Sequence, residues 1–202
     1  MTSTSTSRPD VAPGTWRTVD VVVAAVLAVA FGVVFWAWGL LYAATEGAFA
    51  FFPPLKGLYA GVWLLPGVLG ALVIRKPGAA LFTELVAAVV SALLGNQWGL
   101  TVVFYGLAQG IGPELVFLAT RYRRWGPPTA VLAGAAAGVA TVCLDLFYWY
   151  PHWAVGWMAA YAAVVIASAA VIAGVGGWLL FQALARTGVL APFASGRGQR
   201  AV

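Results

Sequence analysis

Long apolar runs separated by short polar or Gly/Pro-rich stretches dominate the chain from residue 19 to residue 184. The runs at 19–42, 57–74, 78–95, 99–119, 128–149 and 155–184 are each of membrane-crossing length, close to the roughly 20 residues a span requires. The separators are "EGAFAFFPPLKG", "RKPG", "GNQWG", "RYRRWGPP" and "YPHW", where prolines and glycines collect as they do at helix ends. Such short links make successive helices antiparallel neighbours. The expected fold is therefore an all-α integral membrane protein of six transmembrane helices. The expected divisions are a disordered tail at 1–17, a membrane domain at 18–186 and a second tail at 187–202. The first run is too long for a signal-peptide core and is read as a retained helix.

Composition agrees: 62% of the 202 residues are hydrophobic and 8% charged, with mean hydropathy +0.92. Soluble domains carry about 25% charged residues. The net charge of +5 is a topology signal. Ten of the eleven Lys and Arg residues fall before span one, between spans two and three, between four and five, or after six; only Lys56 lies on the other side. The positive-inside rule then places both termini in the cytoplasm, and no nucleic-acid partner is implied. Cys143 lies in an apolar run and reads as a small buried hydrophobe.

The opposite ends of the spans carry Trp36, Trp38, Trp63, Asn96, Gln97, Trp98, Tyr105, Tyr148, Trp149, His152, Trp153, Trp157 and Tyr161. An interfacial belt accounts for aromatic residues at this level, but a belt decorates both faces. The excess on one side favours an outward-opening pocket, and both readings stand at this point. Inside the spans the costly groups are Glu84, Gln109, Glu114 and Asp145. Buried carboxylates in a membrane usually face the bundle interior and mark a site. At ~1.5 Å per residue, Glu84 and Gln109 both fall near mid-membrane on adjacent helices, whereas Asp145 lies close to the outer mouth with Asn96 at similar height. Glu114 is within reach of a snorkelling Arg121, so a structural ion pair outranks a ligand role for it. Ala24, Ala28 and Gly32 repeat at four-residue spacing, a pattern that serves internal packing or the docking of another membrane protein.

Phosphate loop, G-x-S-x-G and H-E-x-x-H motifs are absent, and one histidine and one cysteine build neither a hydrolase dyad nor a usual zinc site. An intramembrane enzyme using Glu84 and Asp145 lacks a nucleophile. A stand-alone carrier lacks an inverted repeat. What remains is a small membrane protein that binds something from outside, without a cofactor.

"IRKPGAALFTEL" (74–85), "LLGNQWG" (93–99) and "YGLAQGIGPELVF" (105–117) resemble segments of YkoE-type S components, the substrate-binding subunits of energy-coupling factor (ECF) importers of prokaryotic cytoplasmic membranes. The resemblance implies six helices, both termini inside, an outward pocket, a transmembrane coupling (T) subunit and two ATPase partners. It also implies docking through the first helix at Ala24, Ala28 and Gly32, and thiamine or its hydroxymethylpyrimidine precursor as ligand. For such a ligand the expected binding residues are Glu84, Gln109, Asn96, Asp145, Trp36, Trp63, Tyr105, Tyr148 and Trp157, with Glu84 as the pocket floor. Glu84→Gln is accordingly expected to weaken binding far more than Glu114→Gln. The segment 46–57 reads as a lid or an interfacial anchor.

Overall fold

A computed structural model describes residues 15–191, 193 and 195; the 1–14 part of the expected first tail and most of the second lie outside the described residues. The backbone crosses six times. Helix α1 (Thr18–Thr45) is followed by 3₁₀ turns at Glu46–Phe49 and Pro53–Tyr59, then by the one-turn α2 (Ala60–Trp63) and α3 (Leu65–Ile74). Helices α4 (Ala79–Leu93), α5 (Thr101–Ala119) and α6 (Pro127–Tyr148) come next. The last crossing is α7 (Val155–Ser168), a π-helical stretch (Ala169–Gly176) and α8 (Gly177–Arg186) in unbroken succession. Five of these stretches are long and apolar enough to cross a membrane, and α4 is a shorter apolar helix.

Helix α4 packs between α1 and α5 and also touches α3, so it is the hub of one half of the bundle. Ala24, Ala28 and Gly32 point into this seam and are buried. A Cβ on Gly32 would lie 2.5 Å from Val90 Cβ, so only glycine admits α4 at this distance. In the isolated chain these three small side chains are spent on α1–α4 contact, the internal-packing alternative, and the outward face of α1 is Val22, Val26, Val29 and Val33. The other half is built on α6 against the π-helical stretch. There a Cβ on Gly134 would meet Ala169 O at 2.5 Å.

Both described chain ends meet the same end of the bundle. Trp16 Nε1 donates to Pro77 O at 2.9 Å, and Lys76 bonds Thr15 O and the buried Asp20 carboxylate, which Arg17 also holds at 2.9 Å. Leu190, Phe193 and Ser195 are buried, and Ser195 Oγ donates to Val73 O at 2.8 Å, so this part of the 187–202 segment folds back onto α3. Cys143 is exposed on the outside of α6, contrary to the buried reading.

One crossing is short and another is broken, and this decides where space is left. With 15 residues α4 spans only about 22 Å of a hydrocarbon layer about 30 Å thick. Above it the chain turns through Gly95 and Gly99, both at positive φ. The second crossing breaks at Leu64, and Pro66 starts a new helix. The end of the bundle away from the termini is therefore hollow.

Candidate functional site

The hollow is a cavity of about 380 Å³. Its floor is Ala88, Gln109 and Thr141, from α4, α5 and α6. Thr141 Oγ1 accepts a 3.1 Å hydrogen bond from Gln109 Nε2 and donates to Ala137 O. Among the described residues nothing donates to Gln109 Oε1, which leaves an acceptor for an incoming donor. Pro113 has no N–H to give the Gln109 carbonyl one turn earlier, a further cost carried at this depth.

The acid on the wall is Asp145, almost wholly buried. Its Oδ1 accepts from Tyr105 OH at 2.7 Å and its Oδ2 from Tyr161 OH at 2.6 Å. Trp149 Nε1 in turn donates to Tyr105 OH at 2.8 Å. No Lys, Arg or His pairs with Asp145 among the described residues. The carboxylate is therefore aimed and hydrogen-bonded but not neutralised, a natural seat for a cation. Nearby Tyr150, in the link after α6, has its phenol pushed up by burial and by Asp145, so it stays neutral.

Aromatic rings close the remaining sides. Tyr42 meets Trp63 and Trp98 at centroid distances of 5.9 and 5.5 Å, and Trp63 meets Trp98 edge-on at 5.4 Å. At the mouth Lys56 Nζ lies 3.3 Å from Glu46 Oε2, joining the two 3₁₀ turns. Asn96 fixes the rim, donating to Ser91 Oγ and accepting from Trp98 N at 2.9 Å.

Of the nine residues expected to bind ligand, Gln109, Asn96, Asp145, Trp63 and Tyr105 line this cavity and Glu84, Trp36, Tyr148 and Trp157 do not. Glu84 is fully buried one turn below Ala88, and its Oε2 accepts from Gly67 N at 2.8 Å. Gly67 lies in the first turn of α3, where backbone N–H groups have no intrahelical partner. The broken second crossing needs a cap inside the membrane, and Glu84 supplies it. Trp36 is turned away by one residue from the inward Phe35, and Tyr148 by one residue from Trp149. Trp157 packs on Phe52 at 5.4 Å outside the mouth, while Tyr161, one turn further down α7, faces in.

Glu114 has a structural role, but not with Arg121. Its oxygens accept from Gly78 N at 2.6 Å, Ala80 N at 3.0 Å and Tyr122 OH at 2.6 Å, capping the start of α4 from the neighbouring helix. Left-handed φ at Arg121 and Tyr122 turns the phenol back to reach it, and burial with the Glu114 carboxylate pushes that phenol up. Sequence reasoning missed Tyr42, Glu46, Thr141 and Tyr150 as lining residues. Thr141 carries the one available signal, standing a turn before Asp145 on the same face.

Comparison with known proteins places this geometry in a family. Residues 19–140 match the family described as ABC-type cobalt transport system, permease component. YkoE of Bacillus subtilis (strain 168), described as an HMP/thiamine permease protein, is 38% identical over 186 residues, 90% of this chain and 91% of that protein. A crystal structure of an S component of an ECF transporter superposes with a TM-score of 0.88 at 35% identity, covering 92% of this chain and 94% of the other. These relatives are transport subunits, not enzymes. The chain belongs to the YkoE-type S components of ECF transporters.

Proposed function

We propose that the cavity captures thiamine, or its hydroxymethylpyrimidine half, from outside the cell, and that the chain delivers it when a T subunit and two ATPases act on it. The observation that carries this reading is Asp145, held by Tyr105 and Tyr161 on an aromatic wall with no cation beside it among the described residues. A thiazolium is a flat organic cation; it gains from a carboxylate and from stacking on Tyr or Trp faces. At the floor, Gln109 Oε1 accepts from the amino group of an aminopyrimidine. In this reading the pyrimidine sits at the floor, the thiazolium at Asp145 and the hydroxyethyl tail toward the mouth. The YkoE relative's description as an HMP/thiamine permease supports the same ligand class.

The cavity opens opposite the chain ends. Arg17, Arg75, Lys76, Arg121, Arg123, Arg124 and Arg186 all belong to the terminal side and Lys56 to the mouth side. By the positive-inside rule the mouth faces outward from a prokaryotic cytoplasmic membrane. The cobalt in the matched family's description is a weaker guide, since the described residues contain no group of three His, Cys, Asp or Glu able to hold a metal ion. Uptake into membrane vesicles tests the subunit role. Accumulation of labelled thiamine should require ATP and the co-expressed coupling subunits. Accumulation by this chain alone would make it a self-sufficient carrier.

A further inference from the structure

Resting on that capture reading, we propose that Glu46 sets ligand charge selectivity by neutralising Lys56, so that phosphorylated forms of the vitamin are rejected. Among the described residues three charged side chains line the cavity: Glu46, Lys56 and Asp145. Glu46 lies 3.3 Å from the Lys56 ammonium, and the two side chains keep 44% and 25% of their exposure, so both reach the mouth without being sealed from it. The pair cancels, and the charge a ligand meets is that of Asp145, one negative unit. Without Glu46 the same cavity would hold one acid and one base at opposite levels, Asp145 on the wall and Lys56 at the mouth. That arrangement suits a zwitterion: a thiazolium beside the acid and a phosphate ester beside the base.

Such a ligand is chemically close to the proposed one. A phosphomonoester at the hydroxyethyl tail adds about 1.5 to 2 negative charges near neutral pH. With the pyrimidine at Gln109 and the thiazolium at Asp145, the tail points toward the mouth, where Lys56 is the one base among the lining residues. A free ammonium there would attract the ester. Occupied by Glu46, it offers no net attraction, and the ester's charge also faces the Glu46 carboxylate. Glu46 therefore acts on selectivity through Lys56, in addition to tying the two 3₁₀ turns together. A tie alone would alter both ligands alike; selectivity alters their ratio.

Binding of thiamine and of thiamine monophosphate to the purified full chain, by isothermal titration, tests this on the wild type, Glu46→Gln, Lys56→Gln and the double variant. The wild type should prefer thiamine. In Glu46→Gln the monophosphate should gain at least about tenfold relative to thiamine, and the double variant should lose that gain. Lys56→Gln leaves Glu46 bare and should move the ratio further toward thiamine, which keeps the test decisive if Glu46→Gln does not fold. An unchanged ratio in either single variant, or a gain that persists in the double variant, overturns the proposal and leaves thiamine capture standing. A wild type that binds no thiamine removes the capture reading, and this one with it.

Discussion

Tyr161 OH donates a 2.6 Å hydrogen bond to Asp145 Oδ2, tying α7 to α6 at the wall of the cavity. Tyr105 does the same to Oδ1 from α5, so three helices converge on one carboxylate. Two neutral donors orient the acid without cancelling its charge. The charge is what a cationic ligand would use.

Asp145→Asn should weaken thiamine binding by roughly tenfold or more, the scale of a lost hydrogen bond or contact to a charged group. Hydroxymethylpyrimidine has no permanent cation and should lose much less. Titration of the variant with both ligands checks this; equal losses would show that Asp145 does not select the thiazolium.

Gln109→Ala should act in the complementary way. It removes the floor acceptor and should weaken thiamine and hydroxymethylpyrimidine by similar factors, about tenfold. A variant that lost thiamine but kept hydroxymethylpyrimidine would mean the pyrimidine sits elsewhere than on the floor.

Glu84 belongs to stability more than to affinity. Glu84→Ala leaves Gly67 N–H buried without an acceptor and should lower stability by about 1–3 kcal/mol, read as a drop in Tm. Glu84→Gln keeps an acceptor and should fall less. Both variants that fold should hold thiamine within about threefold of wild type, since Glu84 lies beneath the lining; a large affinity loss with unchanged Tm would restore it as a ligand residue.

Gly32→Val should destabilise the isolated chain by about 1–3 kcal/mol, because the new side chain collides with Val90 at the α1–α4 seam. Val26→Ala, on the outward face, should leave the Tm of the isolated chain nearly unchanged. The opposite order would place Gly32 on the outside after all.

The six crossings were legible in the sequence because membrane spans are set by run length and by the Gly and Pro residues between them. Gln109 and Asp145 were legible for a related reason, as polar groups too costly to bury idly. Glu84 met the same test but lies beneath the cavity lining, where it accepts from Gly67 N. Its role depends on a helix break at Leu64 one crossing away, marked only by the Pro66-Gly67 pair, and periodicity does not show which neighbour a cap will serve. The face of Ala24, Ala28 and Gly32 was read correctly as a close-packing face. Its neighbour was not fixed by spacing; α4 occupies it. Tyr42, Glu46 and Tyr150 sit at helix ends and links, where small changes in chain direction decide which side chains face inward.

What the purified chain binds decides whether the cavity is a vitamin site. Titration of the wild type with thiamine and hydroxymethylpyrimidine, followed by quenching of Trp63, Trp98 and Trp149 in the cavity wall, measures it. Saturable binding of thiamine, tighter than its neutral pyrimidine half and weakened in Asp145→Asn, is the predicted result. No binding of either ligand, or thiamine binding that Asp145→Asn leaves unchanged, would contradict it.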